Sequence, residues 1–263
     1  MSLVVLASAK GAPGVTTAAT ALAHVWPEAG DSLLVEVDPA GGDLAARLIL
    51  APEPGLATLA ARAHRSDEPV ELSTHLQSER GLRILPAPTG RAAGRAAAII
   101  GPDLGALLAQ LAGDVIVDVG RLDGTGPDAP VGTGILAAAG VVAVLCRATT
   151  ADLAHAGAAV ADLVHAGLRP GLVLVGEQRD VHAARFLDLP VFGTLPHDPR
   201  GADALGGAPI RPWLLERLPL VRAARVLAAT LAEVARGRGH APTTSVIAAA
   251  ATRNGESLAG STR

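Results

Sequence analysis

Lys10-Gly11-Ala12-Pro13-Gly14-Val15-Thr16-Thr17 decides how this chain is read. The stretch follows the apolar run Leu3-Val4-Val5-Leu6 and opens an Ala-rich helical segment. Gly11 and Gly14 let the backbone curl so that its N–H groups point inward. With the N-terminus of the following helix they form a phosphate cradle. Thr16 supplies a hydroxyl for magnesium. A phosphate loop of the usual kind has lysine immediately before that hydroxyl. Here the residue is Val15, whose isopropyl group offers neither charge nor donor, so the clamp on the β/γ-phosphates is missing. Val15 is read as part of the loop lip. Taken alone, the loop also reads as a Gly/Pro turn between a strand and a helix.

Working outward, β-rich runs alternate with Ala/Leu-rich helical stretches. The pattern predicts strands at 3–8, 32–37, 82–86, 114–119, 141–146, 172–176 and 191–195. Helices are expected near 16–26, 55–64, 101–112, 150–166, 178–186 and 219–236. Helix 150–166 has Thr149 or Thr150 as cap and Asp152 in its first turn. Leu153, Ala156, Val160, Leu163 and Val164 recur along it at helical spacing. A strand, a Gly-rich loop and a helix in that order open a doubly wound sheet. The expected fold is therefore α/β, a mostly parallel central sheet with helices on both faces in three layers.

Two acidic strand ends supply context for the loop. Leu33-Leu34-Val35-Glu36-Val37-Asp38-Pro39 carries carboxylates to the C-terminal edge of the sheet, where such folds bind ligands. Glu36 and Asp38 share a strand face and can point to one site. The same residues also read as a strand followed by an Asp-Pro turn. Asp114-Val115-Ile116-Val117-Asp118-Val119-Gly120 is a hydrophobic strand ending in Asp118, placed to hold magnesium directly or through water. Asp114 is read as the residue that begins the strand, and a helix cap or turn acid is the alternative for Asp118.

The loop resembles the deviant Walker A loop of the ParA/MinD family of P-loop ATPases, Lys-Gly-Gly-x-Gly-Lys-Thr-Thr. Lys10 falls on the early signature lysine, and Gly11 and Gly14 match. Ala12 replaces a glycine, and Val15 replaces the second lysine. The resemblance implies a nucleotide site built from Lys10, Gly11, Ala12, Pro13, Gly14, Val15, Thr16 and Thr17. Magnesium would be held at Thr16 and Asp118, and Asp38 would stand at the hydrolytic acid. It also implies that Lys10 reaches nucleotide phosphates, commonly across a sandwich dimer. Residues 141–155 resemble the segment after Walker B, and Pro190 to Asp198 the last core strand with its Pro-x-Asp turn. Ala204 to Leu231 resembles the terminal helical region, and the likeness spans about residues 1–235. Gly176 stands near the Asn-Arg pair that helps recognise adenine in relatives, and it has no side chain to replace that Asn. Gly42 to Leu48 and Gly81 to Pro88 are similar to the CpaE/TadZ-like branch of pilus assembly and polar positioning.

The chain has 263 residues, 49% hydrophobic and 18% charged, with a net charge of −3 and a pI near 6.2. That balance does not support a polyanion binder such as a DNA-coating protein, although the arginines of the later chain are locally dense. There is no Tyr, and only Trp26, Trp213, Phe186 and Phe192 are aromatic, which argues against base stacking on single strands. Cys146 sits alone in an apolar strand, so it is expected to be a core thiol, and no zinc-type spacing exists. The histidines form no metal set. No Gly-x-Ser-x-Gly elbow or Gly-x-Gly-x-x-Gly dinucleotide loop is present.

Met1-Ser2-Leu3-Val4 carries no basic leader, and no run reaches the roughly 20 uninterrupted apolar residues of a membrane span. A cytoplasmic protein without a transmembrane segment is expected. Residues 1–236 read as one domain and 237–263 as a flexible tail. Two functions follow. One is a degenerate ParA/MinD-like positioning, assembly or regulatory protein, with ATP or ADP and magnesium bound weakly or not at all and little hydrolysis. The other is a nucleotide-dependent dimerising ATPase of pilus, division or chromosome positioning. The expected partners are another protein and, for the nucleotide-responsive reading, a second copy of the chain.

Overall fold

Alternation of apolar side chains explains the central strand. In β1 (Leu3–Ser8) every residue is buried. Leu3, Val5 and Ala7 enter one apolar cluster, and Val4 and Leu6 enter the other. A strand buried on both faces must carry such a continuous run, because successive side chains point to opposite sides. The computed structural model describes residues 2–11, 13–27, 32–65, 70–122, 132–176 and 190–237. The expected helix 178–186 and the tail beyond Gly237 lie outside the described residues.

The remaining elements follow in order. They are α1 (Val15–Val25), β2 (Leu33–Glu36), α2 (Leu44–Leu48), α3 (Leu56–Arg65), β3 (Gln77–Glu79), β4 (Leu82–Leu85), α4 (Arg91–Ala109), β5 (Val115–Arg121) and α5 (Gly132–Ala138). Then come β6 (Val141–Arg147), α6 (Thr150–His165), β7 (Pro170–Val175), β8 (Val191–Leu195), α7 (Pro199–Leu205), α8 (Pro212–Leu215) and α9 (Pro219–Ala235). The sheet order is β3-β4-β2-β5-β1-β6-β7-β8. All neighbours run parallel except β3 and β4, where Gln77 faces Ile84 in an antiparallel pair. Helices α1 and α9 pack with one apolar cluster and α3 to α6 with the other. This is the three-layer α/β arrangement the sequence predicts.

All seven predicted strands are present. The added strand β3 is short and polar, so it carries no apolar alternation to read. Helix α4 begins ten residues before the predicted start. Proline favours the first turn of a helix, yet Pro102 lies inside α4. The buried stripe Ala93, Ala97, Ile100, Leu104 and Leu108 runs through it, so burial outweighs the lost hydrogen bond. Among the described residues α4 is the one helix long and apolar enough to cross a bilayer by length and composition. Here Arg91, Arg95 and Asp103 interrupt it, and its apolar stripe lines the domain core. Thr149 caps α6 by accepting from the Asp152 N–H at 3.1 Å.

At the end of the sheet opposite the loop, Asp114 fastens three elements. Its carboxylate accepts from the Ser2 N–H at 2.6 Å and the Trp26 indole at 2.8 Å. Arg236, just past α9, lies 3.4 Å away. These contacts fix the start of β1 and the end of α1, and so the position of the loop between them. Cys146 is a buried core thiol, pushed up to about 11 by burial and then by Asp152.

Candidate nucleotide-binding site

Sheet order brings the candidate residues together. Strands β2, β5 and β1 are adjacent, so the segment after β2, the end of β5 and the loop after β1 converge at their C-terminal edges. Such a crevice is where open α/β sheets take ligands. Glu36 faces Asp118 in the β2–β5 register. Ile116 and Leu34 face the α1 side, so alternation turns Asp118 and Glu36 to that side as well.

The loop enters α1 through Gly14, whose φ of 93° and ψ of 42° are left-handed. A side chain there would be strained, which accounts for the glycine. Gly14 also accepts the first helical bond, from the Ala18 N–H at 2.9 Å. Gly11, Gly14, Val15, Thr16, Asp38, Ala40, Asp43, Arg47, Gly120 and Arg121 line a cavity of about 380 Å³, with Ser8 behind them. Pro13, Gly14 and Thr17 border a second cavity of about 210 Å³. Its other wall comes from Arg147, Val175 and the Leu195-to-Pro199 turn. Two cavities therefore meet at Gly14, one on the acidic side of the loop and one toward β6, β7 and β8. Ala12 lies outside the described residues.

Asp118 lies wholly beneath the first cavity, with no exposed surface. One carboxylate oxygen, Oδ1, accepts from the Gly120 N–H at 2.9 Å. The other, Oδ2, is buried and has no hydrogen-bond partner. The Thr16 hydroxyl is near enough to act on the carboxyl electrostatically, but no bond of standard geometry reaches Oδ2. Burial pushes the Asp118 carboxyl up to about 6; the Thr16 hydroxyl and Gly120 N–H oppose this, while Asp38 and Asp43 add to it. An orphaned buried acceptor is costly, and a hydrated divalent cation would satisfy it. Thr16 and Asp118 fit magnesium, which takes one or two protein oxygens and completes its shell with water and phosphate.

Glu36 has a different role from the one its sequence position suggested. It is buried, and Oε1 accepts from the Asp43 N–H at 2.7 Å and the Leu44 N–H at 3.0 Å. Oε2 accepts from the Ala87 N–H at 3.1 Å. Glu36 thus shapes the loop between β2 and α2 and ties it to the end of β4. Burial pushes its carboxyl up to about 7; the three N–H donors oppose that rise, and Asp118 adds to it. Asp38 stays at the cavity, with Oδ1 accepting from the Ala40 N–H at 2.8 Å.

Two cations stand where the sequence did not place them. The Lys10 ammonium donates to His155 Nε2 on α6 at 3.1 Å, and Lys10 is absent from the lining of either cavity. Lys10 is also the chain's only lysine. Arg47 on α2 donates to Thr17 Oγ1 at 2.9 Å and lies 3.3 Å from Asp43. Nothing in the sequence signals a contact across the thirty positions from Thr17 to Arg47. Val15 borders the cavity but is not an exposed lip residue: it is 7% exposed and belongs to the apolar cluster under α1. As the first residue of α1 it sits on the helix's inner face.

This architecture has solved counterparts. The septum site-determining protein MinD of Pyrococcus horikoshii OT3, complexed with Mg-ADP, superposes with a TM-score of 0.68 at 20% identity. The match covers 90% of this chain and 98% of that one. The fold is that of the MinD and ParA ATPases. A ParA family ATPase from Chlorobium tepidum TLS gives a TM-score of 0.67 at 18% identity, covering 87% of this chain and 97% of that chain. The MinC:MinD cell division complex of Aquifex aeolicus gives 0.58 at 15% identity, covering 88% and 96%. No protein-family model matches the sequence, and neither does any curated protein. At these identities the likeness is one of fold, so the chemistry must be argued from the residues.

Proposed function

We propose that this chain is a ParA/MinD-like positioning, assembly or regulatory protein. It binds magnesium nucleotide weakly and hydrolyses it slowly or not at all. The observation that carries this reading is the buried, unpartnered Oδ2 of Asp118 beneath a cavity lined by Gly14, Thr16 and Asp38. A buried acceptor of this kind calls for a partner, and a cation held between it and the Thr16 hydroxyl would be one. Weak binding follows from Val15, because the positive charge normally set against the β/γ-phosphates is absent at that position. The bound nucleotide would supply phosphate oxygens to magnesium held at Thr16 and Asp118. Gly11, Gly14 and the start of α1 would orient the phosphates, and Asp38 would stand at the hydrolytic position. We place the protein in the cytoplasm, with a homodimer and a protein partner as its assembly states.

A second reading, a nucleotide-dependent dimerising ATPase, is favoured by Lys10. Its ammonium lines neither cavity and rests on His155 at the exposed side of the loop, a position from which it would serve a second subunit. Titration calorimetry with MgATP and MgADP, paired with a steady-state hydrolysis assay, separates the two. Weak binding with turnover far below that of active P-loop ATPases supports the first reading. Turnover at the usual rate, abolished by Asp38→Asn, would overturn it in favour of the second. No binding at millimolar nucleotide would remove the nucleotide from both and leave a scaffold.

A further inference from the structure

The cavity on the acidic side of the loop lacks a cation from the loop itself. Val15 is apolar and turned into the core, and the Lys10 ammonium is engaged with His155. Asp38, Asp43 and the buried Asp118 place three carboxyls at or beneath the same space. A polyphosphate entering there meets repulsion unless positive charge is added, because like charges repel more strongly in a partly dry site than in water. Magnesium on Asp118 answers part of that charge. The rest must come from a side chain that reaches the first turn of α1 from elsewhere.

Arg47 meets that requirement. It lies on α2, in the segment that Glu36 anchors through the N–H groups of Asp43 and Leu44. Its guanidinium is 2.9 Å from Thr17 Oγ1, on the first turn of α1 and two residues from Val15. It also lines the cavity. Its present partners are a neutral hydroxyl and an i,i+4 carboxylate whose side chain is 62% exposed. Both are weak holds, because an exposed i,i+4 ion pair is well screened by water and adds little. Phosphate is the stronger partner for a guanidinium, since the planar fork can donate two parallel bonds to its oxygens. Arg121 lines the cavity too, from the end of β5; Arg47 is distinguished by its bond to the Thr17 hydroxyl on the first turn of α1.

We propose that Arg47 is the phosphate clamp of this site, delivering from α2 the positive charge that Val15 cannot, to the β/γ-phosphates of a nucleoside di- or triphosphate. Asp43 is then a positioning residue that keeps the guanidinium over the loop. The proposal rests on the nucleotide-site reading above and extends it by naming a cation outside the loop.

The test is calorimetric titration of MgATP, MgADP and AMP into the unaltered chain, Arg47→Gln and Arg47→Lys. Thermal melting without nucleotide accompanies each titration. Arg47→Gln should weaken MgATP and MgADP about tenfold or more and leave AMP nearly unchanged, because AMP has no β- or γ-phosphate. Arg47→Lys should fall between, since it keeps the charge and loses the fork. The nucleotide-free melting temperature should be the same in all three, as Arg47 is partly exposed and carries no core packing. Equal weakening of all three nucleotides, or none, overturns the clamp while leaving the nucleotide site intact. A melting temperature that falls with binding points to a structural role and overturns it as well. If the unaltered chain binds none of the three, the nucleotide-site reading itself fails first, and the clamp with it.

Discussion

Gly120 packs its α-carbon directly against the carboxylate of Asp38, so a Cβ at position 120 would overlap that carboxylate. Its φ of 64° is left-handed as well. Position 120 therefore holds Asp38 in place by leaving room for it, and the Gly120 N–H binds Asp118 at the same time. Gly120→Ala should cost about 2 kcal/mol or more through backbone strain and overpacking. Adding Asp38→Ala should recover the overpacking part and leave the strain. A double-mutant cycle by urea denaturation reads this directly. Simple additivity would mean that the two residues do not share the space.

Lys10 and His155 make the second prediction. With Nζ donating to Nε2 at 3.1 Å, the lysine rests outside both cavities. Lys10→Ala should therefore weaken nucleotide-promoted dimerisation more than it weakens binding to the monomer. Light scattering beside calorimetry measures both. A loss confined to monomer binding would place Lys10 over its own subunit's phosphates. Because this is the only lysine, amine-selective acylation followed by mass spectrometry reports its accessibility at a single side chain. Dimer formation should slow that acylation.

Val15→Lys is the third. An exposed lip position would accept lysine at no cost to the fold, but Val15 is buried in the α1 cluster. The substitution removes apolar contact and forces an ammonium to bend out toward the cavity, at a cost of about 1–3 kcal/mol. The same ammonium then stands near the phosphates, so MgATP should bind more tightly despite the lower stability. Asp118→Ala should cancel that gain by removing the metal's support. Denaturation midpoints and calorimetry on the single and double variants separate the two effects.

Glu36 carries the fourth, on pH. Its folded carboxyl is raised from 4.5 to about 7, chiefly by burial. Between those values the folded state holds a proton that the unfolded state releases, so stability falls as pH rises through the window. The full drop is roughly 3 kcal/mol. Asp118 acts with the same sign over a lower range, from 3.8 to about 6, so the Glu36 share is read between pH 6 and 7.5. Glu36→Gln should flatten that slope. Its absolute stability should also fall by about 1–3 kcal/mol, because the new amide sets a donor against the Ala87 N–H. An unchanged slope in the variant would assign the pH dependence elsewhere.

The alternation of apolar runs with helical stretches was legible because a parallel sheet buries both faces of its strands. Residues 141–145, for instance, read as continuous Val, Leu and Ala, and every residue from Val141 to Cys146 is buried. The start of α4 was not legible. Pro102 is a local opening signal, and only the packing of Ala93 and Ala97 on the sheet shows that the helix began earlier. Strand β3 escaped for a related reason: its polar residues pair with β4 at an edge, where no buried face imposes a pattern.

By itself the sequence determined the seven apolar strands, the longer helices between them and the glycine loop after the first strand, but not the short helices such as α2 and α5. It also determined which acids end the second and fifth strands, because periodicity and turn chemistry are local properties of the chain. Tertiary structure alone decided what each of those acids does. Glu36 and Asp118 look alike as strand-end carboxylates. Three backbone N–H groups from α2 and the end of β4 engage the first, whereas Oδ2 of the second has no hydrogen bond of standard geometry and only the Thr16 hydroxyl nearby. The direction of Val15 and the reach of Arg47 to Thr17 were settled in the same way. Both depend on where α1 and α2 come to rest against the sheet, and that is set by the sum of many distant apolar contacts rather than by any short stretch of residues.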